Sequence, residues 1–371
     1  MDNKLRTLQE LKPRRSSLAA KKCFVGFDGF VDTIVSAVEL RAGQGENFTP
    51  FSNIAGFGQR ILDAAGKSTN VELYPRMDKL GGNGPIMAGA LIAQGSQVAC
   101  VGALGLGQGL HPVFSGLATR GRAVSLCDSA HTIAVEFSDG KLMLGMMRSL
   151  DLITPANIAA ALGGAEGYRR SLDVDLVALV NWTMIPHMTA IFGDLIENVL
   201  PKAPPRPDRI FFFDLADPEK RTRSDLTEAI ASLARFEKFG RVTLGLNLKE
   251  AQQVFNVLGF APETETESGL RAMAGQIREH AGVSTVVVHP KESAACATRQ
   301  GTWWVPGPYA AKPLITTGAG DHFNAGFGTG QLLGLDPESC LLLGVSTSGH
   351  YVRTAQSPSL ADLETFLGSW H

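Results

Sequence analysis

The chain has 371 residues, of which 44% are hydrophobic and 19% charged, and a formal net charge of −2. That length and hydrophobicity allow a large core, and the near-neutral balance argues against nucleic acid or an anionic membrane as a partner. The five cysteines, Cys23, Cys100, Cys127, Cys296 and Cys340, show no C-x-x-C or Cys/His ligand spacing, which excludes a disulfide framework and points to buried thiols in a reducing compartment.

Residues 1–21 alternate charges around Leu5, Leu8 and Leu11 and lack the apolar run of a signal peptide or membrane span. A short amphipathic helical extension ahead of the fold is expected there, and a cytoplasmic location with it. Residues 22–371 then read as one domain. CFVGF at 23–27 is a short, wholly apolar, aromatic-rich run and so a buried strand. Similar runs recur at 97–104, 175–181, 209–215, 242–247 and 284–289, with helix-period segments at 188–200, 224–239 and 269–281 between the later ones. Strands apolar throughout and separated by helices imply a mostly parallel sheet covered on both faces.

Two stretches break this rhythm. Residues 131–147, HTIAVEFSDGKLMLGMM, alternate on either side of Ser-Asp-Gly-Lys and read as a hairpin with Asp139-Gly140 in the turn. Residues 33–52 begin strand-like and become glycine-rich and polar, so the two stretches together predict a small β lid from segments near 31–50 and 131–147. Between them, 53–68 reads as a helix. The hairpin carries Ile133, Val135, Phe137, Leu142, Leu144, Met146 and Met147, more apolar surface than a two-stranded ribbon hides by itself. Either a ligand and the closing lid cover it or the same ribbon of a second subunit does; a homodimer through the lids is the favoured expectation.

Near the C-terminus stands ITTGAGDHFNAGFGTG, residues 315–330. Ligands of an open α/β sheet sit beyond the carboxyl ends of its strands, where a helix N-terminus gathers unpaired N–H groups. The glycines let the backbone come close to a phosphate, and Asp321 stands where an attacking hydroxyl would lie. Taken alone, an Asp in that position is also an ordinary helix cap.

The segment resembles the C-terminal signature of the ribokinase-like (PfkB) carbohydrate kinases, D-T-x-G-A-G-D-x-F. Other pieces follow in family order from about Lys22 to Phe366. Asn247-Leu248-Lys249-Glu250 is similar to the N-x-x-E motif, Gly81-Gly82-Asn83-Gly84 to the Gly-Gly sugar loop, Gly26–Asp32 to the first strand with its substrate aspartate, and Asp214–Arg221 to a D-P-N-x-R-like loop. The resemblance implies a three-layer α/β/α sandwich with a small β lid, and ATP- and Mg²⁺-dependent phosphorylation of a hydroxymethyl group on a sugar or sugar-like substrate. It implies Asp321 as general base with Gly318, Ala319 and Gly320 as anion hole. Sugar contacts are expected from Asp32, Gly81, Gly82, Asn83 and Phe137. Nucleotide contacts are expected from Asn247, Thr316, Thr317, His289, Gly349 and His350, and magnesium is expected near Asn247 and Glu250. Of the two aspartates after the first strand, Asp28 reads as a turn residue and Asp32 as the sugar ligand.

The chain departs from the pattern where Ile315 replaces the opening Asp of the signature, where Ile86 replaces the usual Asn of the glycine loop, and at 53–68, which is longer than the usual connection there. A nucleoside kinase, or a non-catalytic sugar- or nucleoside-binding member, therefore stands as the alternative. Gly105-x-Gly107-x-Gly109 is followed at once by His111-Pro112, which does not fit a dinucleotide fingerprint; the histidines show no H-E-x-x-H spacing, and no P-loop sequence occurs.

Overall fold

In a computed structural model, residues 3–107 and 109–370 are described; residues 1, 2 and 371 of the expected extension and domain lie outside them. The strands run β1 (Lys22–Phe27), β2 (Phe30–Arg41), β3 (Phe48–Pro50), β4 (Leu73–Gly81), β5 (Gln97–Gly102), β6 (Arg122–Ser125) and β7 (Ala130–Phe137). They continue as β8 (Gly140–Met146), β9 (Leu176–Leu179), β10 (Ile210–Asp214), β11 (Arg241–Asn247), β12 (Thr285–His289), β13 (Ser293–Thr298) and β14 (Gly301–Pro306). Nine form one sheet in the order β14-β13-β12-β11-β10-β9-β1-β5-β6. It is parallel from β6 to β12 and antiparallel only in the β12–β13–β14 hairpin at one edge. Helices cover both faces, so the fold is a three-layer α/β/α sandwich of ribokinase-like type.

The run IFFFD shows why such a strand must lie in the middle layer. Phe211 and Phe213 join one core with Phe192, Trp182 and Phe236, while Phe212 points the other way into the core shared with Phe323 and Phe327. Successive side chains of a strand alternate faces, and both faces here are apolar.

The second sheet is the lid, in the order β3-β2-β7-β8 with β4 also paired to β2. The expected hairpin is present, but its turn is Ser138-Asp139, with Gly140 opening β8 opposite Phe137 instead of sitting in the turn, and β2 extends from 30 to 41. Strand β4 was not expected. LYPRMDKLG is mostly exposed and contains Pro75, so it carries no alternation to read. The apolar face of the hairpin has an occupant that the sequence reading did not consider: the chain's own helix Ile54–Leu62. Its Phe57 packs with Phe51 and Phe137 at ring distances of 5.5 and 5.4 Å, in a small core with Val35, Ala37 and Val135. Val135 is fully buried, whereas Leu144 and Met146 remain 44% and 58% exposed.

The N-terminal helix, Asn3–Arg14, packs on the C-terminal helices Pro337–Thr354 and Leu360–Ser369. Leu11 and Leu18 are buried, Thr7 Oγ1 lies 2.9 Å from Ser339 Oγ, and Lys4 Nζ donates to Trp370 O at 2.6 Å.

Candidate active site

Parallel strands in register end at one edge. That edge carries Asp28 after β1, Asn181 after β9, Asp214 at the end of β10, Asn247 at the end of β11 and His289 at the end of β12. Helix Ala319–Leu332 starts over this edge, entered through Gly318 in a left-handed conformation (φ 86°). Asn324, one turn in, donates from Nδ2 to Asp214 Oδ2 at 2.7 Å and ties the helix to the sheet.

Asp321 is buried, and Asn83 Nδ2 donates to its Oδ1 at 2.9 Å. Burial, then the charges of Asp28 and Glu250, push its carboxyl well above the ordinary range, against the opposing bond from Asn83. Asp214 is pushed up in the same way by burial and by Glu250 and Asp321. The edge therefore gathers carboxylates that repel one another, and among the described residues no basic side chain forms an ion pair with Asp28, Asp214, Glu250 or Asp321, an arrangement that favours protons or cations.

The glycine loop closes on both aspartates after β1. A Cβ on Gly81 would lie 2.5 Å from Asp32 Oδ2, and one on Gly82, which stands at φ 94°, would lie 3.0 Å from Asp28 Oδ2. Asp28 does stand in the short turn between β1 and β2, as the sequence suggests, but it is more than a turn residue. It is buried, and its carboxylate accepts from Asn83 N and Gly84 N, each at 2.8 Å, and from Asn181 Nδ2 at 2.6 Å. It thereby holds the helix start that carries Asn83. Burial raises its carboxyl to about 6 despite those bonds. Asp32 already belongs to the lid strand β2, half-buried, where burial raises its carboxyl and Thr132, Lys141 and Lys79 oppose the rise.

Two clefts meet at the Gly318 turn. The first, about 400 Å³, is lined by Asn83, Asp214, Asn247, Glu250, His289, Gly349, Thr316 and Asp321 among others. The second, about 450 Å³, lies under the lid and is lined by Asp32, Lys79, Phe137, Lys141, Thr316 and Thr317 among others. The turn itself is held from the helix side. Tyr351 O–H donates to Thr317 O at 3.1 Å, and His322 Nδ1–H donates to Gly318 O at 2.7 Å while its Nε2 lies 2.8 Å from Ser357 Oγ. Of the amides expected to form the anion hole, that of Ala319 turns back to Thr316 O at 3.2 Å. Among the described residues no acceptor takes the N–H of Gly320.

Asn247 and Glu250 form a helix capping box. Asn247 Oδ1 accepts from Glu250 N at 3.0 Å, and Glu250 accepts from Asn247 N at 2.9 Å and Asp217 N at 3.1 Å. His289 stacks on Phe323 at 4.5 Å, and burial lowers its pKa to about 4, so it is neutral. Gly349 borders the first cleft, but His350 does not. One residue is 100° of helix, which turns His350 away to pack edge-on against Phe366. Sequence reasoning named Asp214 only as the start of a loop and missed Asn181 and Asn324. An Asp closing the apolar run IFFF was the available signal for the first and an Asn closing LVALV for Asn181, whereas Asn324 inside its helix carries none.

A family model, prokaryotic ketohexokinase, matches residues 4–370. A ketohexokinase of Haloferax volcanii is 26% identical over 349 residues, covering 93% of this chain and 90% of that one. Among solved structures, a carbohydrate kinase from Agrobacterium tumefaciens superposes with a TM-score of 0.64 at 17% identity, covering 94% of this chain and 98% of its own. A ribokinase from Cryptococcus neoformans in complex with ADP gives 0.62 at 16%, with 93% and 98% covered. A nucleoside kinase from Burkholderia thailandensis in complex with inosine gives 0.59 at 17%, with 94% and 100% covered. With the model match running almost end to end over this sheet edge and its two clefts, the chain belongs to the prokaryotic ketohexokinase family and is an ATP-dependent carbohydrate kinase.

Proposed function

We propose that this kinase phosphorylates a hydroxymethyl group of a ketohexose, with Asp321 as general base. The observation that carries the reading is the Asn83–Asp321 hydrogen bond in the first cleft, which shares Thr316 with the lid-side cleft. A base acts best when its pKa approaches the working pH, and burial among carboxylates moves Asp321 in that direction. Asn83 fixes one carboxylate oxygen and leaves the other to take the hydroxyl proton. The N–H of Gly320, on the first turn of its helix, is placed to stabilise charge on the transferred group. The sugar lies in the lid-side cleft and the nucleotide in the cleft bordered by His289 and Gly349.

The residues fit a magnesium ion accompanying the nucleotide phosphates. Asp214 Oδ1 is buried and, among the described residues, no side-chain donor reaches it; its carboxylate feels the charges of Glu250 and Asp321. The capping bonds of Asn247 and Glu250 make them holders of the ion's water, and Asp214 offers the direct oxygen. Magnesium typically takes one or two carboxylates and keeps several waters. Bound there, it would neutralise phosphate charge.

We further infer a homodimer through the lids. Strand β8 is the lid's edge strand, and the exposed Leu144 and Met146 continue the apolar face that the helix Ile54–Leu62 covers only in part.

The kinase reading is tested by an ATP-coupled assay over ketohexoses, aldoses and nucleosides with and without magnesium. Turnover highest with a ketohexose and lost on chelation is expected. Turnover with nucleosides alone, or none with any acceptor, contradicts it.

A further inference from the structure

Two stacked rings grip the Gly318 turn. His322 and Tyr351 lie with ring centroids 3.6 Å apart and 12° between their planes. Each ring holds one of two consecutive carbonyls: Tyr351 O–H donates to Thr317 O at 3.1 Å, and His322 Nδ1–H donates to Gly318 O at 2.7 Å. Gly318 O also accepts the backbone N–H of His322 at 3.1 Å, so one residue supplies both of its donors. A carbonyl can only accept, which puts the ring proton on Nδ1 and leaves Nε2 to accept from Ser357 O–H at 2.8 Å. His322 is buried, and burial lowers its pKa to about 4, so the ring is neutral.

A peptide unit is planar and trans, so a carbonyl fixes the N–H of the next residue, which points the opposite way. Holding Thr317 O therefore aims Gly318 N–H, which among the described residues has no acceptor. Holding Gly318 O fixes the following peptide plane, from which the chain continues to the free N–H of Gly320. The turn lacks such restraint by itself, because glycine lets the backbone approach an anion closely but limits its conformation least. His322 lines neither cleft. It follows Asp321 on the helix and so faces about 100° away from it.

We propose that His322 is a positioning residue for phosphoryl transfer: with Tyr351 stacked on it, it sets the peptide planes of the turn so that the amides of Gly318 and Gly320 meet the phosphoryl group in transit. This rests on the kinase reaction proposed above. In that step the bond between the γ-phosphorus and the β–γ bridging oxygen breaks and its electron pair stays on ADP. A bond forms from the sugar hydroxyl oxygen to phosphorus, and the hydroxyl proton passes to Asp321. His322 exchanges no proton and touches no reactant. Its effect is orientation: donors set in advance where charge develops favour the transition state over the bound ground state.

The test uses the full-length wild type, His322→Leu, His322→Asn and Tyr351→Phe with magnesium, ATP and D-fructose. Binding of ADP is also compared with binding of ADP plus aluminium fluoride, a mimic of the transferring group. His322→Leu is expected to lower kcat about 10–10²-fold while the sugar KM and ADP affinity change little, and to remove the tightening that aluminium fluoride gives. Asn carries an N–H donor as many bonds from the main chain as Nδ1, so His322→Asn is expected to restore most of both. Tyr351→Phe keeps the stacked rings and removes one hydrogen bond, for an expected loss in kcat of about 2–10-fold. His322→Asn as slow as His322→Leu traces the loss to packing and overturns the assignment, as does an effect confined to KM or a His322→Leu kcat within about threefold of wild type. An unchanged kcat in Tyr351→Phe overturns it too, even if His322→Leu does not fold. All of these leave the kinase reading intact, whereas a wild type inactive on every ketohexose would overturn that reading and the assignment with it.

Discussion

Asn83 Nδ2 donates to Asp321 Oδ1 at 2.9 Å, joining residues 238 positions apart and linking the helix after the Gly81-Gly82 loop to the helix after the Gly318 turn. Asp28 stands behind Asn83, accepting the N–H groups of Asn83 and Gly84, and Asn181 stands behind Asp28. The carboxylate proposed as base is thus aimed through a chain of buried polar contacts that starts in the central sheet.

Replacing Asn83 by Leu leaves Asp321 buried and free to rotate. The expected result is a fall in kcat of roughly 10–10²-fold with a smaller change in nucleotide affinity, since a misplaced base loses orientation but not binding. Steady-state kinetics together with nucleotide titration separate the two; equal losses in both would point to a collapsed site.

Asp28 makes stability depend on pH. Its folded-state carboxyl is raised from 3.8 to about 6 by burial, so its contribution is fully present below pH 3.8 and is lost as pH rises through 6. The loss amounts to about 3 kcal/mol. The stability of wild type minus that of Asp28→Asn should therefore fall by about that amount between pH 4 and 7.5. Asp321, which Asp28 also pushes up, contributes in the same direction. Denaturant melts at both pH values check this, and a difference independent of pH would contradict it.

Phe57→Ala removes the main anchor of the helix Ile54–Leu62 over the lid. Truncating a buried Phe costs about 3–5 kcal/mol. Here it should appear as lost hydrogen-exchange protection in 130–146 and a raised sugar KM. Exchange in β9–β12 should be unchanged, because that sheet has its own cores.

Much of this architecture is legible in the sequence, and the gaps have physical causes. IFFFD and TVVVH announce buried parallel strands because both faces are apolar, and Ser138-Asp139 turns the hairpin where the alternation breaks. Strand β4 escapes notice because a strand exposed on both faces has no hydrophobic period. Asp28 and Asp32 differ by four residues, and spacing cannot tell them apart. The chain passes from the central sheet into the lid between them, and only the fold reveals that Asp28 stays at the sheet edge. His350 is misread for a related reason: a motif fixes a neighbourhood, while helix phase decides which of two adjacent side chains enters it.

The most direct test of Asp321 as base compares phosphate transfer from labelled ATP to D-fructose by wild type and Asp321→Asn, with nucleotide affinity measured on the same samples. Loss of a general base costs about 10²–10⁴-fold in rate. The account predicts a loss of that size with nucleotide affinity changed little; transfer by Asp321→Asn at the wild-type rate would contradict it.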